Sequence, residues 1–253
     1  MNVVVDGLMT NYQKTGDGKV LLFLHGWGTN SATFTKLIGE FKDNYTVLVP
    51  DLPGFGGTEA PPEAWTLDNY ADFVADFLAK LGIRDVYGLI GHSFGGVVSI
   101  VGVSTGLLRP NKLIVLASAG VRPKRRVIKG MMRLGAKTAK IPLYLLPSEK
   151  SKKIKETLYS KAGSDVMLLP HMRDTFVKTV NQDVQKQAQE ITVPALLIYG
   201  SKDKSTPPKH GLLINKAIIG SKLEIITDAG HFLHQEQSAE VGTLVENFLK
   251  GKV

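Results

Sequence analysis

Eight short aliphatic runs, several followed by segments of helical spacing, constrain this chain more than any other feature. They lie at residues 3–5, 8–14, 20–24, 46–49, 86–90, 112–116, 195–199 and 223–226. Runs this short and this apolar suit strands of a parallel sheet buried on both faces. The first two read as a hairpin, with Gly16-Asp17-Gly18 turning the chain into the third. Apolar residues at three-to-four spacing over 66–81, 94–105 and 239–249 predict helices between and after these strands. The alternation predicts an α/β fold: a doubly wound, mostly parallel eight-stranded sheet.

The pattern breaks over residues 120–191, where strand-like runs stop and Pro142, Pro147 and Pro170 interrupt helix-like stretches. Met172, Phe176, Val177 and Val180 are expected to share one apolar face there. Residues 1–119 and 192–253 are therefore read as the core, and 120–191 as a helical cap inserted between two core strands.

Composition excludes several chemistries. The chain has no cysteine, so disulfides, thiolate metal sites and a cysteine nucleophile are ruled out. The first residues lack a basic region followed by an apolar stretch, and no apolar run approaches membrane-spanning length, so a cytoplasmic protein not integral to a membrane is expected. The net charge of +8 is uneven: residues 121–163 hold 13 Lys or Arg against Glu149 and Glu156, which is +11 in that stretch alone.

The sharpest local signal is Gly91-His92-Ser93-Phe94-Gly95, between the run at 86–90 and the helical spacing that follows. A nucleophile on a strained turn from strand to helix needs neighbours without side chains, and Gly91, Gly95 and Gly96 supply them. His25-Gly26-Trp27-Gly28 closes the run at 20–24, where its backbone can face that turn. A tetrahedral intermediate gathers negative charge on the former carbonyl oxygen, and the N–H groups of Trp27 and Phe94 are the expected oxyanion donors.

Asp203 follows the run at 195–199 and His231 follows the run at 223–226, both past the C-terminal ends of strands, where open α/β sheets form sites. Ser93 as nucleophile, His231 as general base and Asp203 as the acid that orients the imidazole form the expected catalytic set. His234 is the rival base and Asp228 the rival acid. No metal is expected, because His231 and His234 have no third ligand cluster near them. No cofactor is expected either: a phosphate-binding loop of the nucleotide-hydrolase type is missing, and Gly54-Phe55-Gly56-Gly57 lacks the third glycine of a dinucleotide fingerprint.

Taken together, HGWG at 25–28, DLPGFGGT at 51–58, GHSFGG at 91–96, YGSKDKSTP at 199–207 and AGHFLHQEQ at 229–237 resemble the α/β-hydrolase superfamily. The likeness spans nearly the whole chain and is to the branch of capped serine esterases and carbon-carbon hydrolases. It implies a lid over the site. Relatives that cleave halides or epoxides carry aspartate at the nucleophile position, so Ser93 implies acyl transfer to water.

The expected activity is hydrolysis of a carboxylic ester or thioester of a small to medium acyl group through an acyl-enzyme, with a small-molecule acyl substrate. The alternatives are carbon-carbon bond hydrolysis of a diketone-type substrate and a non-catalytic binding protein of the same fold. The basic run Arg122, Lys124, Arg125, Arg126, Lys129, Arg133, Lys137 and Lys140, with Val127, Ile128, Met131, Met132 and Leu134 between, has the spacing of an amphipathic helix. It suits an acidic carrier protein or an anionic surface as partner, or a solvated cap face. Nucleic acid is not expected, for want of an aromatic platform.

Overall fold

The computed structural model describes residues 1–120, 169–180 and 182–252. Two compact units divide the chain, Met1–Val121 with His171–Val253, and Arg122–Pro170; the sheet and its flanking helices belong to the first. The basic run and most of the expected cap lie outside the described residues.

The strands are β1 (Asn2–Val5), β2 (Leu8–Thr15), β3 (Lys19–Leu24), β4 (Tyr45–Pro50), β5 (Val86–His92), β6 (Lys112–Leu116), β7 (Ala195–Gly200) and β8 (Lys222–Ile226). They form one eight-stranded sheet in the order β1-β2-β4-β3-β5-β6-β7-β8. β1 pairs with β2, and β2 with β4, antiparallel. Every other pairing is parallel. The expected doubly wound, mostly parallel sheet is therefore the observed one.

Among the described residues the α-helices are α1 (Thr35–Gly39), α2 (Leu67–Lys80), α3 (Phe94–Ser104), α4 (Arg173–Val180), α5 (Gln185–Gln189), α6 (Pro208–Ala217), α7 (Leu233–Glu236) and α8 (Ser238–Leu249). Side chains alternate across β3 because successive Cβ atoms point to opposite faces. Leu21 and Phe23 enter a core shared with Phe34, Leu37, Val241 and Phe248, while Leu22 and Leu24 are also fully buried and lie outside that cluster. This double burial is why the strand reads as an unbroken apolar run.

β8 departs from the reading of strands buried on both faces. It is the edge of the sheet, with Lys222, Glu224 and Ile225 exposed and only Ile226 buried. An edge strand has a neighbour on one side alone, which leaves room for charge in an otherwise aliphatic run.

Within the stretch read as cap, α4 and α5 are described. α4 buries Met172 from the preceding turn together with Thr175 and Thr179, whereas Val177 and Val180 are 48% and 43% exposed. The expected apolar face is thus replaced by one carrying two hydroxyls. Both are bonded: the Thr175 hydroxyl oxygen accepts from Trp65 N–H at 3.1 Å, and the Thr179 hydroxyl donates to the Thr175 carbonyl at 2.9 Å. A buried hydroxyl with a partner costs little, so periodicity alone misassigns this helix.

Candidate functional site

Four loops at the C-terminal ends of parallel strands converge on one rim of the sheet. The turn after β5 holds Ser93 at φ 50°, ψ −109°, a left-handed backbone that a non-glycine residue adopts only under strain. The surroundings enforce it: Ser93 N–H donates to the Leu116 carbonyl at 2.9 Å, and Gly95 N–H donates to the His25 carbonyl at 3.0 Å. A Cβ on Gly91 would lie 2.6 Å from the Gly95 oxygen and the Gly96 Cα. The glycines are therefore required by the close approach of α3 to β5.

Ser93, His231 and Asp203, distant along the chain, meet here. His231 Nε2 lies 3.1 Å from Ser93 Oγ, and His231 Nδ1 lies 2.8 Å from Asp203 Oδ2. The Asp203 side chain is fully buried and that of His231 is 20% exposed. Burial alone would push the Asp203 carboxyl up. Hydrogen bonds from His231 and from the backbone and hydroxyl of Thr206 outweigh it and hold Asp203 below the usual carboxylate value.

Thr206 is a site residue that sequence reading missed. Its N–H and that of Ser205 donate to Asp203 Oδ1 at 2.9 and 2.8 Å. Its hydroxyl oxygen stands 2.7 Å from Asp203 Oδ2, 2.8 Å from the Ala117 carbonyl and 3.1 Å from His231 Nδ1. One hydroxyl proton serves at most one of the two acceptors at a time, so the oxygen is free to accept from Nδ1–H while Asp203 does the same. The only available signal was a Thr three residues after the acid, in a stretch with no regular period.

The loop after β3 faces the turn. A Cβ on Gly26 would lie 3.4 Å from the Ser93 Cβ. Among the described residues nothing accepts from the backbone N–H of Trp27 or of Phe94. Two unengaged donors beside Ser93 are what an oxyanion site requires. The Trp27 ring stands on its edge contacts with Phe55, Phe94 and Phe176, at centroid distances of 4.9, 5.3 and 5.1 Å, and its buried indole N–H has no acceptor among the described residues.

The rivals are placed elsewhere. Asp228 pairs with Lys202 at 2.8 Å on the open surface. His234 sits in α7, fully buried, and burial pushes its pKa down to about 3. Glu236 is exposed yet accepts from Gly230 N–H at 2.6 Å and so ties down the turn that carries His231. No group of three or more His, Asp or Glu among the described residues has the geometry to hold a metal ion. No helix among them is long and apolar enough to cross a membrane.

The model of the alpha/beta hydrolase family matches residues 21–243. Over 258 residues, 92% of this chain and 88% of the relative, the chain is 28% identical to a 2-hydroxy-6-oxononadienedioate/2-hydroxy-6-oxononatrienedioate hydrolase of Klebsiella pneumoniae. It is 24% identical over 263 residues to a 2-hydroxymuconate semialdehyde hydrolase of a Pseudomonas species, covering 98% of this chain and 92% of that one. Among solved structures, a thermophilic esterase from Thermogutta terrifontis superposes with a TM-score of 0.76 at 21% identity over 99% of this chain and 98% of its own, a likeness of fold.

Proposed function

The chain belongs to the α/β hydrolase family, and we propose that it is a serine hydrolase that cleaves a carboxylic ester or thioester through an acyl-enzyme on Ser93. The observation that carries this reading is the continuous line from Ser93 Oγ through both His231 nitrogens to Asp203, at 3.1 and 2.8 Å. In that geometry His231 Nε2 takes the hydroxyl proton as Oγ attacks the carbonyl carbon. The oxygen that becomes negative is met by the N–H groups of Trp27 and Phe94. Collapse of the intermediate expels the alcohol or thiol, which takes the proton back from Nε2, and water then repeats the sequence on the acyl-enzyme. Asp203 keeps Nδ1 protonated and stabilises the imidazolium. The rings of Trp27, Phe55, Phe94 and Phe176 suit an apolar acyl group.

A second reading is carbon-carbon hydrolysis of a diketone-type substrate, favoured by the two relatives above, whose names are those of such hydrolases. The test is turnover of p-nitrophenyl butyrate by the wild type and by Ser93→Ala, beside adduct formation at Ser93 with a fluorophosphonate. Turnover lost in the variant supports the esterase reading. An adduct without ester turnover moves the proposal to the carbon-carbon reading, and neither adduct nor turnover removes both.

A further inference from the structure

His92, the residue before the nucleophile, is buried and takes no part in the mechanism above. Its Nε2 stands 2.9 Å from the backbone carbonyl of His231. A carbonyl can only accept, so Nε2 carries the proton and Nδ1 is bare. That bare nitrogen is buried and bonded to nothing among the described residues. The tautomer is therefore chosen by one bond, the one to His231.

The other end of that bond is equally singular. Among the described residues His92 is the sole hydrogen-bond partner of the His231 main chain, whose own N–H donates to none of them. The neighbouring positions are tied from other directions: Lys202 N–H donates to the Ala229 carbonyl at 2.9 Å, and Gly230 N–H to Glu236. Asp228, at the start of the turn, is in the left-handed region at φ 62°. Among the described residues the main chain of residue 231 makes no other hydrogen bond, and its imidazole is the group that would exchange protons with Ser93.

His92 can serve as an anchor because it is itself immobile. It ends β5 and lies beside His234 at a centroid distance of 4.3 Å, His231 at 4.9 Å and Phe232 at 5.5 Å. A Cβ on Gly26 would reach its Nδ1 at 3.0 Å, so the loop after β3 closes the remaining side. Burial, with His234, His231 and His25 as neighbours, holds its pKa well below the ordinary value, which keeps the ring neutral and the tautomer unchanged.

Resting on the serine-hydrolase reading, we propose that His92 is a positioning residue: its Nε2–H, by holding the main-chain carbonyl of His231, sets the imidazole against Ser93. Nucleophile and base are thereby coupled through adjacent residues of one turn, since the step from Ser93 to His92 is a single peptide bond.

The test uses two neutral polar replacements. In His92→Gln the amide nitrogen occupies the place of Nε2–H and keeps the donor; in His92→Asn the donor is too short to reach. Expected for His92→Asn is a fall of about tenfold in kcat for p-nitrophenyl butyrate and in the rate of Ser93 labelling by a fluorophosphonate, with KM unchanged. His92→Gln is expected within about threefold of the wild type in both. Equal rates in the two variants, high or low, would overturn the proposal. Because either variant can lose its fold, imidazole nitrogen NMR of the wild type gives a separate reading: protonation of His92 on Nδ1 overturns the proposal, and protonation on Nε2 supports it. A wild type left unlabelled at Ser93 removes the serine-hydrolase reading and this inference together, whereas a labelled wild type with indistinguishable variants removes the inference alone.

Discussion

The two sides of the turn that carries His231 are built on opposite rules. On the rim side, each Asp203 oxygen has two partners and both His231 nitrogens are engaged. On the inner side, three ring nitrogens of His92 and His234 are buried without a partner among the described residues. Pairing on the rim is what the proposed mechanism needs, since charge would form and disappear there and an unpaired ion in a buried site is costly. The inner histidines escape that cost by staying neutral: burial pushes His234 down to about 3, and holds His25 at about 4 despite its bond to the Gly26 carbonyl and the charge of Asp51. In the proposed mechanism imidazole thus serves as a base on one side and as a neutral filler or anchor on the other, with burial and pairing deciding which.

The sharpest break of this contrast is on the rim. Asp203→Asn should lower kcat by about 10⁴-fold with the fold retained, because the amide favours the wrong imidazole tautomer. Steady-state kinetics beside circular dichroism measures it; near-normal activity would show that Asp203 does not orient the base.

On the inner side the expected effect is on stability against pH. His25 and His234 have folded pKa values below their ordinary 6.5. The unfolded chain therefore protonates first as pH falls, and stability present above about 6.5 is lost on the way down to about 4. His25 alone accounts for about 3 kcal/mol across that span. Urea denaturation at pH 7.5 and pH 4.5 reads the loss, and equal stabilities would mean that the buried rings take up protons without unfolding. Asp203 and Asp51, held below the ordinary 3.8, add their loss at lower pH still.

Smaller effects sharpen the comparison. Thr206→Val removes the hydroxyl between Asp203 and His231 and should cost about tenfold in kcat, with Thr206→Ser close to the wild type. If Ser and Val behave alike, the hydroxyl has no part in holding the pair. The smallest change is expected from His234→Phe: since neither ring nitrogen is bonded, the Tm at pH 7 should correspond to a stability within about 1 kcal/mol of the wild type or above it. A loss of about 3 kcal/mol would show that a ring nitrogen does have a partner.

The sheet was legible because burial on both faces leaves aliphatic runs that no polar residue interrupts. α2 was legible too, for its spacing ends at Thr66, whose side chain accepts from Asn69 N–H and closes a capping box. α1, with five residues, is too short to show a period, and α6 opens at Pro208, behind Pro207, with Lys209 and His210 in a first turn that carries no apolar face. β8 betrays its edge position only in Lys222 and Glu224. Ser93, Asp203 and His231 could be named in advance because each stands directly beyond a strand-like run. Thr206, Glu236 and His92 could not, because no local pattern joins them to His231 and Gly230, which they meet only in the folded chain.

Strand and helix periods, the glycines that let a turn carry a serine, and the order of three reactive residues are local properties, and the linear chain carries them unaided. Which oxygen faces which nitrogen is a different matter. It depends on the register of β5 against β6 and of β7 against β8, since a shift of one residue would turn every side chain to the other face. Only the assembled sheet could therefore separate Asp203 from Asp228, and the proposed base His231 from the buried ring of His234, because burial and hydrogen-bond distance are properties of neighbours far apart along the chain.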